Sequence, residues 1–398
     1  MARYKLSDVV MRIKDKVDKD NTDLEFYIGG EHFDNGEICI TKRGVIKEST
    51  IGPAFHMRFM PGDVLLMSRN PHLRKAGVVD FEGICSDVSY VCRTKDENVL
   101  MQRFLPFIFQ TDDFWKFAEE NKGGSTNFFL NWSDFERYEF ELPSIEKQRQ
   151  LTEILWAAQN TKLAYLELLR QTDELVKSQF IELFGDFANS EIRWKCLKLQ
   201  ELLDLGWITY HLDGNHGGDY PRSEEFVKSG VSYISANCIV DGRVDFTNAK
   251  YVTKERSKRF RKGIAKHRDV LFAHNATVGP VALLETQEEV VILGTSLTAF
   301  RCNTEYLLPE YLKSYLECEY FVRQYEAEMQ QSTRKQVPIT TQRKYTFVVP
   351  KIDVQQTFVS FIEQTDKSKF VACQETIFIE KILKYTYNHN FRRKNNVH

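Results

Sequence analysis

One stretch of this chain is written twice. Phe140-Glu-Leu-Pro143-Ser-Ile145-Glu146-Lys-Gln148 returns as Phe347-Val-Val-Pro350-Lys-Ile352-Asp353-Val-Gln355, displaced by 207 positions (350 minus 143). The match runs on to Leu183-Phe184 against Asn390-Phe391. A period of this size is far too long for a solenoid and describes a duplicated domain with its connector. Tyr27-Ile28 with Asn35-Gly36 mirrors Tyr233-Ile234 with Asp241-Gly242, and Asp63-Val64-Leu65 mirrors Asp269-Val270-Leu271, each displaced by 206. Val91-Cys92-Arg93 pairs with Ala299-Phe300-Arg301 at 208, Leu105-Pro106 with Leu308-Pro309 at 203, and Ser125-Thr126 with Ser332-Thr333 at 207. Lys5-Leu6 pairs with Lys198-Leu199 at only 193, so the second copy carries about thirteen extra residues, which the reading places in Gly206 to Tyr220. Matching loops carry different side chains almost everywhere. Two similar scaffolds with different loops imply two different targets.

At 398 residues the chain holds two domains of ordinary size, each able to bury its own core. Abundant Phe and Tyr argue against disorder. There is no run of eighteen apolar residues, and Met1-Ala-Arg-Tyr-Lys-Leu lacks the apolar core of a signal peptide, so a soluble, cytoplasmic protein with no membrane partner is expected. The eight cysteines form no C-x-x-C and read as reduced, packed thiols; no metal site is expected. A net charge of −2 argues mildly against a lone nucleic-acid binder, because counterion release rewards a basic surface. Distribution matters more than the sum: Lys254 to Arg268 concentrates positive charge while acids gather at Glu285 to Glu289.

Residues 1–143 and about 194–350 are strand-rich. Short apolar runs such as Val64 to Met67, Val88 to Val91, Val270 to Phe272 and Val290 to Leu293 sit between Gly, Pro and Asn turns. Helical spacing intervenes at Phe104 to Asn121 and Pro309 to Gln331. After each head comes a long helix, expected over 144–186 and 351–390. Gln148 to Phe184 contains neither Gly nor Pro and would extend about 50 Å at roughly 1.5 Å per residue. Leu151, Leu155, Ala158, Lys162, Tyr165, Leu169, Thr172, Val176, Gln179 and Leu183 step by four and three, with Ile154, Leu168, Leu175 and Phe180 widening the stripe. The second helix has Asp353 as a candidate N-cap and carries Phe358, Ile362, Ala372, Ile379 and Leu383 in related register. A lone helix would leave its stripe wet, so the two are expected to pair antiparallel. Packing of each helix on its own head, or homodimerisation, is the alternative.

Leu142-Pro-Ser-Ile-Glu-Lys-Gln148 with the helix that follows it and Lys177-Ser-Gln-Phe-Ile-Glu-Leu-Phe-Gly185 resembles the first conserved region of the specificity subunits of type I restriction-modification systems; Pro350 to Gln355 and its helix resemble the second. The resemblance covers essentially the whole chain. It implies a mixed α/β (α+β) protein with two globular target recognition domains, 1–143 and 194–350, and a pseudo-twofold pair of antiparallel helices forming a coiled-coil spacer. Each domain would read one half of a split site in double-stranded DNA, while the helices fix the unread spacer and dock two methyltransferase subunits. S-adenosylmethionine would then sit on the methyltransferase partner, and ATP and magnesium on a restriction/translocase partner where one is present. The second copy departs in having Arg268 where the first has Gly62, and in its helix ending Asn388-His-Asn-Phe391.

The loops supply the candidate contacts. In the first head, Ser68, Arg69, Asn70, His72, Arg74 and Lys75 follow a strand; Arg suits guanine O6/N7 and Asn suits adenine N6/N7. Lys122, Ser125, Thr126 and Asn127 offer groups for phosphate, as do Ser332, Thr333, Arg334 and Lys335 in the second copy. Lys42 and Arg43 are weaker candidates. In the second head, His274, Asn275 and Thr277 occupy the place of Ser68 to Asn70, and Arg256, Lys258, Arg259, Arg261 and Lys262 read as a phosphate clamp. Each group has a plain alternative as a solvated turn. His211, Asn215 and His216 could read bases or do nothing.

A methyltransferase would need a Gly-rich cofactor loop and Asn-Pro-Pro-aromatic; Asn70-Pro71-His72-Leu73 fails at the third and fourth positions. G-x-x-x-x-G-K-[ST] is also missing. The expectation is a non-catalytic reader whose chemistry comes from partners. A specificity subunit for a type II-like or other phage-defence methylation system would share every feature, and a coiled-coil scaffold binding proteins is the remaining alternative.

Overall fold

The computed structural model describes residues 2–125, 128–215, 220–330 and 335–390. The chain divides into two compact units, Met1–Glu167 with Ala372–His398, and Leu168–Val371. The division falls inside both long helices, Ile145–Phe184 and Ile352–Asn390, because each unit takes one head together with part of each helix.

In the first unit a four-stranded antiparallel sheet runs in the order Val10–Ile13, Ser89–Thr94, Val64–Met67, Ala76–Val78. A second four-stranded sheet contains Gly44–Val45, Phe26–Ile28, Gly83–Ser86 and Phe55–Phe59, with Phe26–Ile28 parallel to Gly83–Ser86. The unbroken apolar run Val64–Met67 reflects burial on both faces. Val64 and Leu66 join the core shared with the helices, whereas Leu65 and Met67 join the core beneath the second sheet. That is period-two alternation between two interiors. The helical core is aromatic: Phe107, Phe114, Trp115, Phe135 and Tyr138 pack with Leu151 and Leu155 of the first long helix and Ile379, Leu383 and Tyr387 of the second.

The second unit repeats the plan. Its sheet order is Ile208–Asp213, Leu297–Cys302, Val270–Asn275, Thr277–Leu283, with Val270 and Phe272 facing the helices and Leu271 and Ala273 facing the other core. The second sheet has five strands, Phe226–Val227, Lys250–Val252, Val231–Ile234, Val291–Leu293 and Ile264–Ala265. Here Phe180 and Phe184 of the first long helix meet Phe358 of the second. The mixed α/β, two-domain reading of the sequence therefore holds. The extra residues do not form one insertion: the offset is 193 at Lys5/Lys198, 198 at Val10/Ile208 and 206 at Ile28/Ile234. They are divided between the helix-and-turn segment before Ile208 and the segment after Asp213.

Within each unit the helix segments run antiparallel. Lys162 meets Glu380 in the first, at 3.0 Å, and Asp173 meets Lys369 in the second, at 2.5 Å. The seam differs from the sequence reading in one respect. Ile154, Leu168 and Leu175 are exposed, while Thr152 and Gln159, outside the expected stripe, are buried along with its members Lys162 and Thr172. Asp353 lies in the first turn of its helix rather than capping it.

The repeated motif has a structural cause. Gln148 is fully buried; its amide donates to the Val99 and Pro143 carbonyls at 2.8 and 3.0 Å, and its Oε1 accepts from the Met101 N–H at 3.2 Å. Gln355 does the same with Tyr306, Pro350 and Leu308, at 3.1, 2.8 and 2.9 Å. Each glutamine latches the start of a long helix to its head by satisfying three backbone groups that burial would otherwise strand.

Candidate nucleic-acid interface

Where Val64–Met67 ends, the chain does not simply become a loop. The Ser68 N–H donates to the Val88 carbonyl at 2.8 Å, its carbonyl accepts from Leu130 N–H at 2.9 Å, and the Asn70 N–H donates to Phe128 at 2.9 Å. Arg69 bridges to Phe129, and Gly123 bridges to Phe129 in turn. The segments around Arg69 and Lys122, read separately in the sequence, are thereby brought side by side. Beyond them a 3-10 turn, Pro71–Leu73, is flanked by Asn70 and Arg74, both left-handed at φ 52° and 51°.

The second head repeats this pairing. Val337 N–H donates to His274 at 2.8 Å, Ala276 N–H to Lys335 at 3.2 Å, and Asn275 bridges Gln336. Arg69 with Phe129 and Asn275 with Gln336 are displaced by 206 and 207, so Arg69 and Asn275 hold the same place in the two heads. Ala276, at φ 65°, makes the turn to Thr277.

These placements sort the candidates. Arg69, His72, Ser125, Lys258, Arg259, Arg261, Thr277 and Lys335 are exposed, and Asn70 and Asn275 are half-buried. Ser68 and His274 are interior, at 5 and 6 % exposure, so the expectation that they face a groove is corrected. The non-local strand that extends each ladder covers them. Arg74 is engaged with Asp112 at 2.5 Å, Lys75 with the Gly30 carbonyl at 2.6 Å, and Lys122 with Glu119 at 2.7 Å. Lys42 pairs with Asp34 at 2.5 Å, and the Arg43 guanidinium lies 4.0 Å over Phe26, both beside the second sheet rather than the turn. Arg256 is tied to Glu225 at 2.6 Å and lies over the Phe260 ring. Lys262 pairs with Asp213 at 3.1 Å, and its carbonyl accepts from Asn215 at 3.0 Å. Gly214 N–H reaches Leu297 and His274 N–H reaches Ser296, so Lys262, Asn275 and Lys335 gather at one end of the four-stranded sheet. Thr126, Asn127, His216, Ser332, Thr333 and Arg334 lie outside the described residues.

Arg12 escaped the sequence reading. It stands in a strand, 4.2 Å over the Tyr90 ring, and donates to the Asp87 carbonyl at 3.2 Å, at the same sheet end as Ser68. A cation inside an apolar alternation carries no loop signal, which is why it was missed.

His211, left open in the sequence, is a strand residue at 3 % exposure. Its Nε2 lies 3.0 Å from Gln342 Oε1, and Gln342 Nε2 donates to Thr298 Oγ1 and the Val337 carbonyl at 3.1 and 3.0 Å. With the amide oriented so, His211 donates through Nε2 and is neutral. Burial, aided by Arg343 and His274 and opposed by Gln342 and Asp213, lowers its pKa from the ordinary 6.5 to about 4. The unfolded chain therefore binds the proton that the folded head refuses. Stability from this site is complete above pH 6.5 and falls as pH drops toward 4, by on the order of 3 kcal/mol. Urea midpoints measured from pH 7 to 4 should show the loss in the native chain, and His211→Gln should flatten that part of the profile; parallel profiles would refute the assignment.

Among the described residues no group of three or more His, Cys, Asp or Glu gathers to hold a metal, and no helix is long and apolar enough to cross a membrane. The two heads share the order of their four-stranded sheets and place Arg69, exposed, and Asn275, half-buried, at the matched position. Residues 192–380 match the family described as the type I restriction modification DNA specificity domain. That match agrees with the resemblance drawn from the repeated motifs. The whole chain shares its fold with the type I restriction-modification system S subunit from M. genitalium, at 12 % identity and a TM-score of 0.57 over 99 % of this chain and 96 % of that one. It likewise matches a chain from a structure on complex assembly and conformational transition of the type I R-M system, at 16 % identity and a TM-score of 0.52 over 98 % of each. No curated protein matches the sequence.

Proposed function

We propose that this chain is the DNA-recognition subunit of a type I restriction-modification complex, with each head reading one word of a split site. The carrying observation is that Arg69, exposed, and Asn275, half-buried, occupy equivalent positions at the ends of four-stranded sheets with the same strand order. One small domain contacts only a few base edges, so two words at fixed spacing multiply discrimination. Arg69 is suited to guanine and Asn275 to adenine, while Lys258, Arg259, Arg261 and Lys335 serve phosphate. The paired helices act as the spacer. Their outward faces carry exposed Phe370, Val371, Phe378 and Tyr385 on the second helix and Ile154, Leu175 and Ile181 on the first, apolar surface that favours docking of methyltransferase subunits. Chemistry then belongs to the partners: S-adenosylmethionine on the methyltransferase, ATP and magnesium on a restriction subunit, in the cytoplasm.

Selection of the purified chain on a random duplex library tests this. Two short words at one spacing should be enriched, with affinity falling steeply as salt rises. Arg69→Ala should relax one word and Asn275→Ala the other, by about 1–3 kcal/mol at the base concerned. Enrichment of no split word, or one shared response to both variants, would sink the reading.

A further inference from the structure

We infer that the last turn of the second long helix positions the exposed turn of the first head, acting through Asn388, Asp112 and Arg74. The inference rests on reading that turn as a DNA contact. All three residues belong to the first unit. The Asn388 side chain makes a reciprocal pair with Asp112: its Oδ1 accepts from the Asp112 N–H and its Nδ2 donates to Asp112 Oδ2, both at 2.8 Å. A backbone donor on one side and a carboxylate on the other leave only one orientation for the amide. Asp112 opens the helix Asp112–Glu120, where an unheld carboxylate would sample several rotamers. With Oδ2 occupied, Oδ1 is presented to Arg74 Nη1 at 2.5 Å.

Arg74 is the closing residue of Pro71–Leu73, in a left-handed conformation that a non-glycine residue adopts at a cost. Its N–H donates to Pro71 at 3.0 Å and its carbonyl accepts from Gly36 at 3.2 Å, so the ion pair holds one foot of the turn that carries His72. The helix end is itself seated, since Tyr387 is buried with its ring 5.6 Å from Phe107. Arg74 is thus a positioning residue, and the helix end reaches the recognition surface without touching it.

The repeat does not carry this chain of contacts. Asn388 minus 207 is Ile181, and Arg74 plus 206 is Pro280. At these matched positions the second head carries no equivalent, which gives an internal control.

The test uses the full chain, with the first word defined as the one altered by Arg69→Ala. Asn388→Ala and Arg74→Gln should each relax discrimination in the first word, by about tenfold at the weakest position, and leave the second word unchanged. Because they act through one contact chain, the double variant should be no worse than either single. Hydrogen exchange without DNA reads the same relay, with Leu73 and Arg74 amides losing protection in Asn388→Ala. Equal loss in both words, additive single effects, or unchanged exchange at Leu73 and Arg74 would overturn the relay. If the native chain enriches no split word, the functional reading fails and the exchange result alone decides this one.

Discussion

Asp269→Ala is expected to destabilise the second head by about 3–5 kcal/mol, the range for removing one partner of a buried ion pair. The Asp269 side chain is 1 % exposed. Arg301 meets both its oxygens, Nε at 2.8 Å and Nη2 at 2.7 Å, and the Lys266 N–H donates at 2.8 Å. Alanine would leave the guanidinium half-sheltered without its anion and a backbone N–H unmet. Asp63 holds Arg93 in the same bidentate way and accepts from Met60 N–H at 2.7 Å, so Asp63→Ala should do comparable damage to the first head. Urea unfolding followed by hydrogen exchange separates the two: protection should fall first in Val270–Asn275 and Leu297–Cys302 for one variant, and in Val64–Met67 and Ser89–Thr94 for the other. A loss below about 1 kcal/mol in both would show that the pair is incidental to the fold.

Those pairs explain why the duplication was visible at all. Asp63-Val-Leu and Asp269-Val-Leu, with Arg93 and Arg301, recur because each copy closes its central sheet with one salt bridge; Gln148 and Gln355 recur because each long helix needs its latch. A departure from the repeat also resolves. Gly62 and Arg268 both take positive φ, 87° and 74°, so the turn is conserved in shape although the residue is not. The Arg268 guanidinium is held by Glu310.

The tips were less legible. Ser68 and His274 follow apolar strands and read as loop residues, but the strands that cover them, around Phe129 and Gln336, lie about sixty positions on in the chain. Local pattern carries no sign of such non-local pairing. The helix seam failed for a related reason. Apolar Ile154, Leu168 and Leu175 looked like seam and are exposed, whereas Thr152 and Gln159 lay outside the expected stripe and are buried. A stripe with polar residues at the contact and apolar ones outside cannot be oriented by hydrophobicity alone.

Lys162 shows what the polar seam does, and its partners should prove more sensitive than the lysine. Its side chain is 7 % exposed, with Nζ 2.7 Å from Glu37 and 3.0 Å from Glu380; those acids are 33 and 50 % exposed. Burial works against its charge, and hydrogen bonds to the two acids more than offset that, so the net shift of its pKa is upward. Glu37→Leu with Glu380→Leu strands a sheltered cation and should cost about 3–5 kcal/mol, whereas Lys162→Met leaves two acids that water can reach and should cost under about 1 kcal/mol. Urea midpoints of the two variants decide it, and equal losses would mean the triad acts as one stabilising unit. The asymmetry fits a contact kept for alignment. Lys162 plus 207 is Lys369, and Glu380 minus 207 is Asp173, so the two lysines and their acids exchange helices under the repeat. Phe358, Thr365, Ala372 and Ile379 recur every seven residues, and such a seam alone would tolerate sliding by a heptad. A sheltered lysine that meets acid in one alignment only makes the slid pairing costly, as buried polar groups do in other helix pairs.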